Sequence, residues 1–108
     1  MEIFDFREGS LASRIHAAED LRRVQGRIPG ATEFLVDLGH NLATTSWVDG
    51  FLVPIAREVG EPGLAIVATS DVTRKHIARV FSSRRIHARV AMTRDGALQG
   101  EFVRIPAA

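Results

Sequence analysis

The apolar positions of this chain fall into short continuous runs separated by helical stripes. Residues 1–6 alternate weakly and are rich in Ile and Phe, which predicts a short strand. Ser10 then precedes an apolar series at Leu11, Ile15, Ala18, Leu21 and Val24, with Arg14, Glu19, Asp20, Arg22 and Arg23 mostly off that stripe. The spacing predicts a first helix, stopped at Gly26 and Pro29-Gly30. Residues 33–38 contain Phe34-Leu35-Val36, too short for a helix and suited to a central strand covered on both faces. After the polar loop Gly39-His40-Asn41, helical spacing returns at Trp47, Val48, Phe51, Leu52, Ile55 and Val59. Ser46 with Asp49 three residues on has a capping-box pattern. Pro54 lies inside this helix and is expected to kink it, crowding the carbonyl of Gly50.

Gly60 and Pro62-Gly63 end that helix, and residues 64–68 predict a third strand. Ser70 is the expected N-cap of a helix from Asp71 to about Phe81. Residues 86–92 predict a fourth strand, followed by a short helix starting at Thr93 or Asp95 and running through Leu98. Residues 102–105 are either an edge strand or a docked tail. Strands alternating with helices imply an α/β fold: a single domain over residues 1–108 with a mainly parallel four- to five-stranded sheet and crossover helices. In such sheets the loops at the carboxyl ends of the strands meet ligands and partners. The first of these loops are 7–10, 39–46 and Thr69-Ser70.

Composition changes this picture little. Of 108 residues, 45% are apolar and 25% charged, an ordinary globular balance that argues against disorder. The chain has no cysteine, which excludes disulfides, thiolate metal sites and a cysteine nucleophile. No apolar run approaches a membrane span, and the acidic start lacks the basic end of a signal peptide, so a cytoplasmic protein is expected. The net charge of +1 implies no partner, but it is unevenly spread. From Val72 to Arg94 there are seven basic residues and no acid: Arg74, Lys75, Arg79, Arg84, Arg85, Arg89 and Arg94. This stretch reads as a solvated face, an acidic-partner surface or, less readily, an anionic membrane or nucleic-acid surface; no DNA partner is expected.

Catalytic and cofactor motifs are missing. Neither a phosphate-binding GxxxxGK[ST] loop nor GxGxxG occurs, and there is no GxSxG elbow. The histidines His16, His40, His76 and His87 are not paired at metal spacing. Asp37, His40 and Ser46 could be drawn as a hydrolase triad, but the loop offers no oxyanion hole and Ser46 is a natural helix cap. Asp37 is expected to bond backbone donors of the following loop. The expectation is a non-enzyme with no cofactor and no metal.

Three consecutive hydroxyls, Thr44-Thr45-Ser46, stand at a helix start. Helix starts carry unpaired N–H groups and partial positive charge, so a phosphate there would find donors and would change the charge of the surface. The plainer alternative is that Ser46 caps the helix while the threonines fill the turn. Trp47, the only Trp, is either the first core residue of its helix or an exposed anchor beside the turn.

The chain resembles a STAS domain, the fold of bacterial anti-sigma-factor antagonists. The resemblance is carried by the apolar strand 34–38 ending in Asp37-Leu38, the hydroxyl turn and first helix turn at 44–52, and the strand with basic helix start at 64–75. The closing strand and short helix at 86–98 extend it. The usual turn reads Asp-Ser-Ser-Gly-Leu. Here no Asp precedes the hydroxyls and Trp47 stands where Gly is expected, which is nearer to STAS-like variants with a Ser-Ser-Ser-aromatic turn. The resemblance implies a signalling module for transcription regulation, docking an anti-sigma factor or another histidine-kinase-like ATPase. It puts the phosphoacceptor on Thr45 or Ser46, with Thr45 preferred because Ser46 is the better cap. Asp37, Thr44, Thr45, Ser46, Trp47, Ser70 and Arg74 are the expected partner-binding residues, and a homodimer is left open. The alternative function is an unphosphorylated STAS-type scaffold or ligand-binding component of a lipid-transport or stressosome-like assembly.

Overall fold

Five strands form one sheet in the order β1-β2-β3-β4-β5, which is also their order in the chain. They are β1 (Glu2–Asp5), β2 (Phe34–Gly39), β3 (Leu64–Ala68), β4 (Ala88–Ala91) and β5 (Val103–Ile105). The first four are parallel, and β5 runs antiparallel along β4 as an edge strand. The computed structural model describes residues 2–28 and 33–107 of this single α/β domain. Met1, Pro29 and Gly30, which the sequence assigned to the first strand and the helix stop, lie outside those residues.

Between the parallel strands lie α1 (Arg14–Gln25), α2 (Thr45–Trp47) continued by α3 (Val53–Val59), and α4 (Asp71–Ser83). A parallel sheet built in sequential order by right-handed crossovers carries all its crossover helices on one face. The packing agrees. Phe4, Phe34, Val36, Leu38, Leu64, Ile66 and Val90 share one core with Ala17, Val24, Phe51, Ile55, Ile77 and Phe81 of the helical layer. The alternate positions Leu35, Ala65, Val67 and Ala91 point the other way, as strand alternation requires. There α5 (Arg94–Leu98) covers them through Ala97, and Phe102 packs alongside. The central strands β2 and β3 are therefore buried along nearly their whole length because both faces are covered. Among the described residues the sequential order leaves no strand-order reversal, and so no switch-point crevice of the kind that holds cofactors in doubly wound folds.

Several elements sit where the pattern predicted them. Ser70 caps α4, its side chain accepting from the Thr73 amide, and Thr93 caps α5 through the Gly96 amide. The first helix differs. Its cap is Ser13, which accepts from the His16 amide at 3.1 Å, and its buried face is Ala17, Leu21 and Val24. Ile15 is 72% exposed, and Ala18 is exposed too. The predicted stripe was out of phase because Leu11, taken as its first member, is buried for another reason. It forms an isolated parallel bridge with Ala43, upstream of the helix.

The Pro54 segment also differs from a simple kink. Val48–Leu52 forms a π-helical turn, with the Val53 amide reaching back to the Val48 carbonyl. This wider turn meets the missing proline donor and the crowding at Gly50 within one continuous helical path from Thr45 to Val59. Gly50 has a second role. A Cβ there would lie 2.8 Å from the Ala17 Cβ, so only glycine lets α1 approach this closely. Trp47, Phe51 and Phe6 fill the space beneath, with ring centroids 4.7 to 5.6 Å apart.

Candidate functional site

The loop 40–44 crosses from the end of β2 to the start of α2 and is braced from three sides. The Asn41 side-chain amide donates to the carbonyls of Phe6 (3.1 Å) and Gly9 (3.0 Å). The buried Thr73 hydroxyl donates to the Asn41 carbonyl at 3.1 Å and accepts the Ala43 amide at 3.2 Å. His76 Nδ1 lies 2.7 Å from the Ala43 carbonyl. A carbonyl only accepts, so Nδ1 carries the proton. Finally, the Thr44 amide donates to the Leu11 carbonyl at 2.9 Å. The turn is therefore held by β1's exit loop and by α4 before any partner arrives.

Thr44 is the cap of α2. Its backbone is extended (φ −77°, ψ 163°), and its hydroxyl accepts the Trp47 amide at 3.2 Å. This corrects the assignment of the cap to Ser46. Any of three neighbouring hydroxyls could cap, and the Leu11–Ala43 bridge decides by holding Thr44 extended. Thr45 and Ser46 instead lie in the first helical turn, Thr45 half-buried and Ser46 exposed. Asp49 serves no capping box. It accepts from Arg84 Nε and Nη2, both at 2.9 Å, and from Arg14 Nη2 at 3.0 Å. The Arg84 guanidinium, more than burial opposes it, holds the Asp49 carboxyl below the usual range, with Arg14 adding to the effect.

Trp47 belongs to the core and offers no surface to a partner. It is fully buried, and its indole Nε1 donates to Asp20 Oδ2 at 2.9 Å. Asp37 is also buried, on the sheet face that α5 covers, away from the hydroxyl turn. Its Oδ1 accepts the Gly39 amide at 2.8 Å, which is the loop bond the sequence led us to expect, and its Oδ2 accepts Arg94 Nε at 2.8 Å. Both carboxylate oxygens are thus engaged without His40, so the residues of the drawn triad are not brought together as one. Gly39 adopts φ 53°, and a Cβ there would lie 2.9 Å from Arg7 Cγ. Ser70 is occupied as a cap. Arg74 is occupied too: its Nη1 donates to the carbonyls of Ala68 and Thr69, both at 2.8 Å, and its Nη2 pairs with Asp71.

Of the expected partner-binding residues, the structure thus brings Thr44, Thr45 and Ser46 to one edge. Trp47 and Asp37 are interior, and Ser70 and Arg74 bond within the chain. The sequence missed the apolar residues that share this edge. Leu42 is 60% exposed and Val72 50% exposed, and the Asn41 and Ala43 bonds to Thr73 tie the loop that carries Leu42 to the first turn of α4, which carries Val72. Met92 is exposed at the end of β4, its carbonyl accepting from the Thr69 hydroxyl at 2.6 Å. Leu42 could have been noticed as an apolar residue in an otherwise polar loop. The sequence also missed a groove of about 400 Å³ lined by Arg14, Thr45, Ser46, Asp49, Arg79 and Arg84, which joins α1, α2 and α4. Another depression, about 610 Å³, lies over Asp5, Arg7 and Glu8, and there Arg7 is already paired with Asp5 at 2.7 Å.

The basic stretch does not form one surface. Arg84 and Arg94 pair with Asp49 and Asp37, and Arg89 donates to the carbonyls of Glu61 and Pro62 while lying over the Phe102 ring. Among the described residues no helix is long and apolar enough to cross a membrane. The chain matches no protein-family model, no characterised protein and no solved structure.

Proposed function

We propose that this chain is a regulatory docking module of the STAS type, whose working edge is Leu42, Thr45, Ser46 and Val72. Its partner is an anti-sigma factor or a related histidine-kinase-like ATPase, and its control is phosphorylation within the turn. One observation carries the reading. Thr44 takes the capping role, so the hydroxyls of Thr45 and Ser46 are free of it, in the first turn of α2 just after the braced loop that carries exposed Leu42. Apolar side chains flanked by polar ones on a pre-formed surface suit a partner helix or loop. A phosphate would add about −1.5 to −2 charge at that surface and oppose apolar docking. Ser46 is the better acceptor on exposure, and the capping argument for Thr45 no longer applies.

The test is incubation with a histidine-kinase-like ATPase of the anti-sigma-factor class, followed by mass-spectrometric mapping. Modification at Ser46 or Thr45, abolished in the Thr45→Ala/Ser46→Ala double variant, is the expected result. Equal modification of the double variant would remove the turn from the account.

A further inference from the structure

The groove beside the hydroxyl turn has a chemistry that docking does not use. Three arginines, Arg14 on α1, Arg79 on α4 and Arg84 just beyond α4, line the groove with a single carboxylate, Asp49, which pairs with Arg14 and Arg84. The Asp49 side chain is only 13% exposed and draws Arg14 and Arg84 to the groove from opposite sides. Arg79 has no carboxylate partner among the described residues. The Arg14 side chain is 66% exposed and holds Asp49 through one bond, so it can turn toward a second anion while Arg84 keeps its two-bond grip on Asp49. The hydroxyls of Thr45 and Ser46 line the same wall.

We propose that this groove is a receptor for a phosphate group, with Arg14 and Arg79 as the binding cations and Asp49–Arg84 as the fixed floor. Guanidinium forks match the oxygens of a tetrahedral dianion, and an excess of cations over carboxylates favours a doubly charged group over a single carboxylate. The phosphate can arrive on a small free ligand or on the Ser46 hydroxyl of the chain itself. The site needs no protein partner, so it stands or falls separately from the docking reading.

Two measurements on the full chain test it. The first titrates inorganic phosphate and follows the amide resonances of Ser46, Asp49, Arg79 and Arg84, with chloride at matched ionic strength as the reference. Saturable shifts from phosphate alone are expected. Arg79→Ala should weaken binding tenfold or more, whereas Arg57→Ala, on the neighbouring helix outside the groove, should leave it unchanged. The second follows the ³¹P resonance of phosphoserine built in at position 46. Its second ionisation, ordinarily near pH ~6, should fall by about one unit and recover in Arg79→Ala. Binding in the first arm alone identifies a free ligand as the source, and a response in the second alone identifies the chain's own Ser46. Both support the receptor. Linear, chloride-like shifts together with an ordinary phosphoserine titration would overturn it.

Discussion

The Thr44 hydroxyl accepts the amide of Trp47 at 3.2 Å, and this bond divides the labour among three consecutive hydroxyl residues. One closes the helix, and the next two are left to the surface. Thr44→Ala should therefore destabilise the fold by about 1 kcal/mol, the usual worth of a cap. Ser46→Ala, at an exposed position, should stay within about 0.5 kcal/mol. Urea unfolding followed by Trp47 fluorescence measures both. A larger loss at Ser46 than at Thr44 would reverse the assignment.

Gly50 predicts a packing defect. Alanine there would push its Cβ to within 2.8 Å of the Ala17 Cβ, and both atoms sit on helix backbones that cannot yield cheaply. Gly50→Ala should cost about 1–3 kcal/mol in spite of its better helix propensity. Ala17→Gly in the same chain should recover part of that loss, because it restores the approach between α1 and the π turn. A double-variant cycle measures the recovery as a coupling energy.

Asp37 and Arg94 fasten α5 to the sheet. Asp37→Ala removes a charged acceptor from a buried position and leaves the Arg94 guanidinium only the longer contact with Asp5 at 3.8 Å, so a loss of about 2 kcal/mol is expected. Hydrogen exchange locates it: amides of residues 96–100 should lose protection, while those of α2 and α3 should keep theirs. An equal loss of protection at the hydroxyl turn would show that Asp37 acts on that edge after all.

Acid dependence follows from the paired carboxylates. Hydrogen bonds from the Arg7 side chain and amide, with the charge of Arg7 and Arg94 assisting, hold the Asp5 carboxyl at about 2. Asp49 is lowered first by Arg84 and then by Arg14. A carboxyl depressed in the fold contributes its stability in full above its unfolded value, about 3.9, and loses it as pH falls through the folded value. Stability should therefore hold at pH 5 and decline below about pH 4. Asp49→Asn should flatten part of that decline. Carboxyl-carbon NMR resonances of Asp5 should still be moving near pH 2.

How much of this was legible in the sequence depended on the range of the interactions. The strands were readable because a run such as Leu64–Ala68 is apolar on both faces. The cap Ser70 was readable because no long-range bridge among the described residues acts on it, and Thr93 was one of the two starts the sequence offered for α5. The phase of α1 was not, because Leu11 is buried by a bridge to Ala43, more than thirty positions away. The same bridge moved the α2 cap from Ser46 to Thr44. Pro54 announced a disturbance, but its form, a π turn over Gly50, depends on how closely α1 approaches. The groove of Arg14, Asp49 and Arg84 joins positions 35 residues apart on either side and leaves no local pattern. Trp47 was readable as the first core residue of its helix because it opens the apolar series Trp47, Val48, Phe51 and Leu52.

The proposed docking edge carries Leu42 and Ser46, both exposed. Calorimetric titration of the histidine-kinase-like ATPase against wild type, Leu42→Asp and Ser46→Glu tests the docking, with unfolding midpoints measured alongside. Each variant should lose at least tenfold in affinity, about 1.4 kcal/mol, at an unchanged midpoint. Unchanged affinity in both, with binding lost instead when the exposed Leu98 of α5 is replaced by Asp, would contradict it.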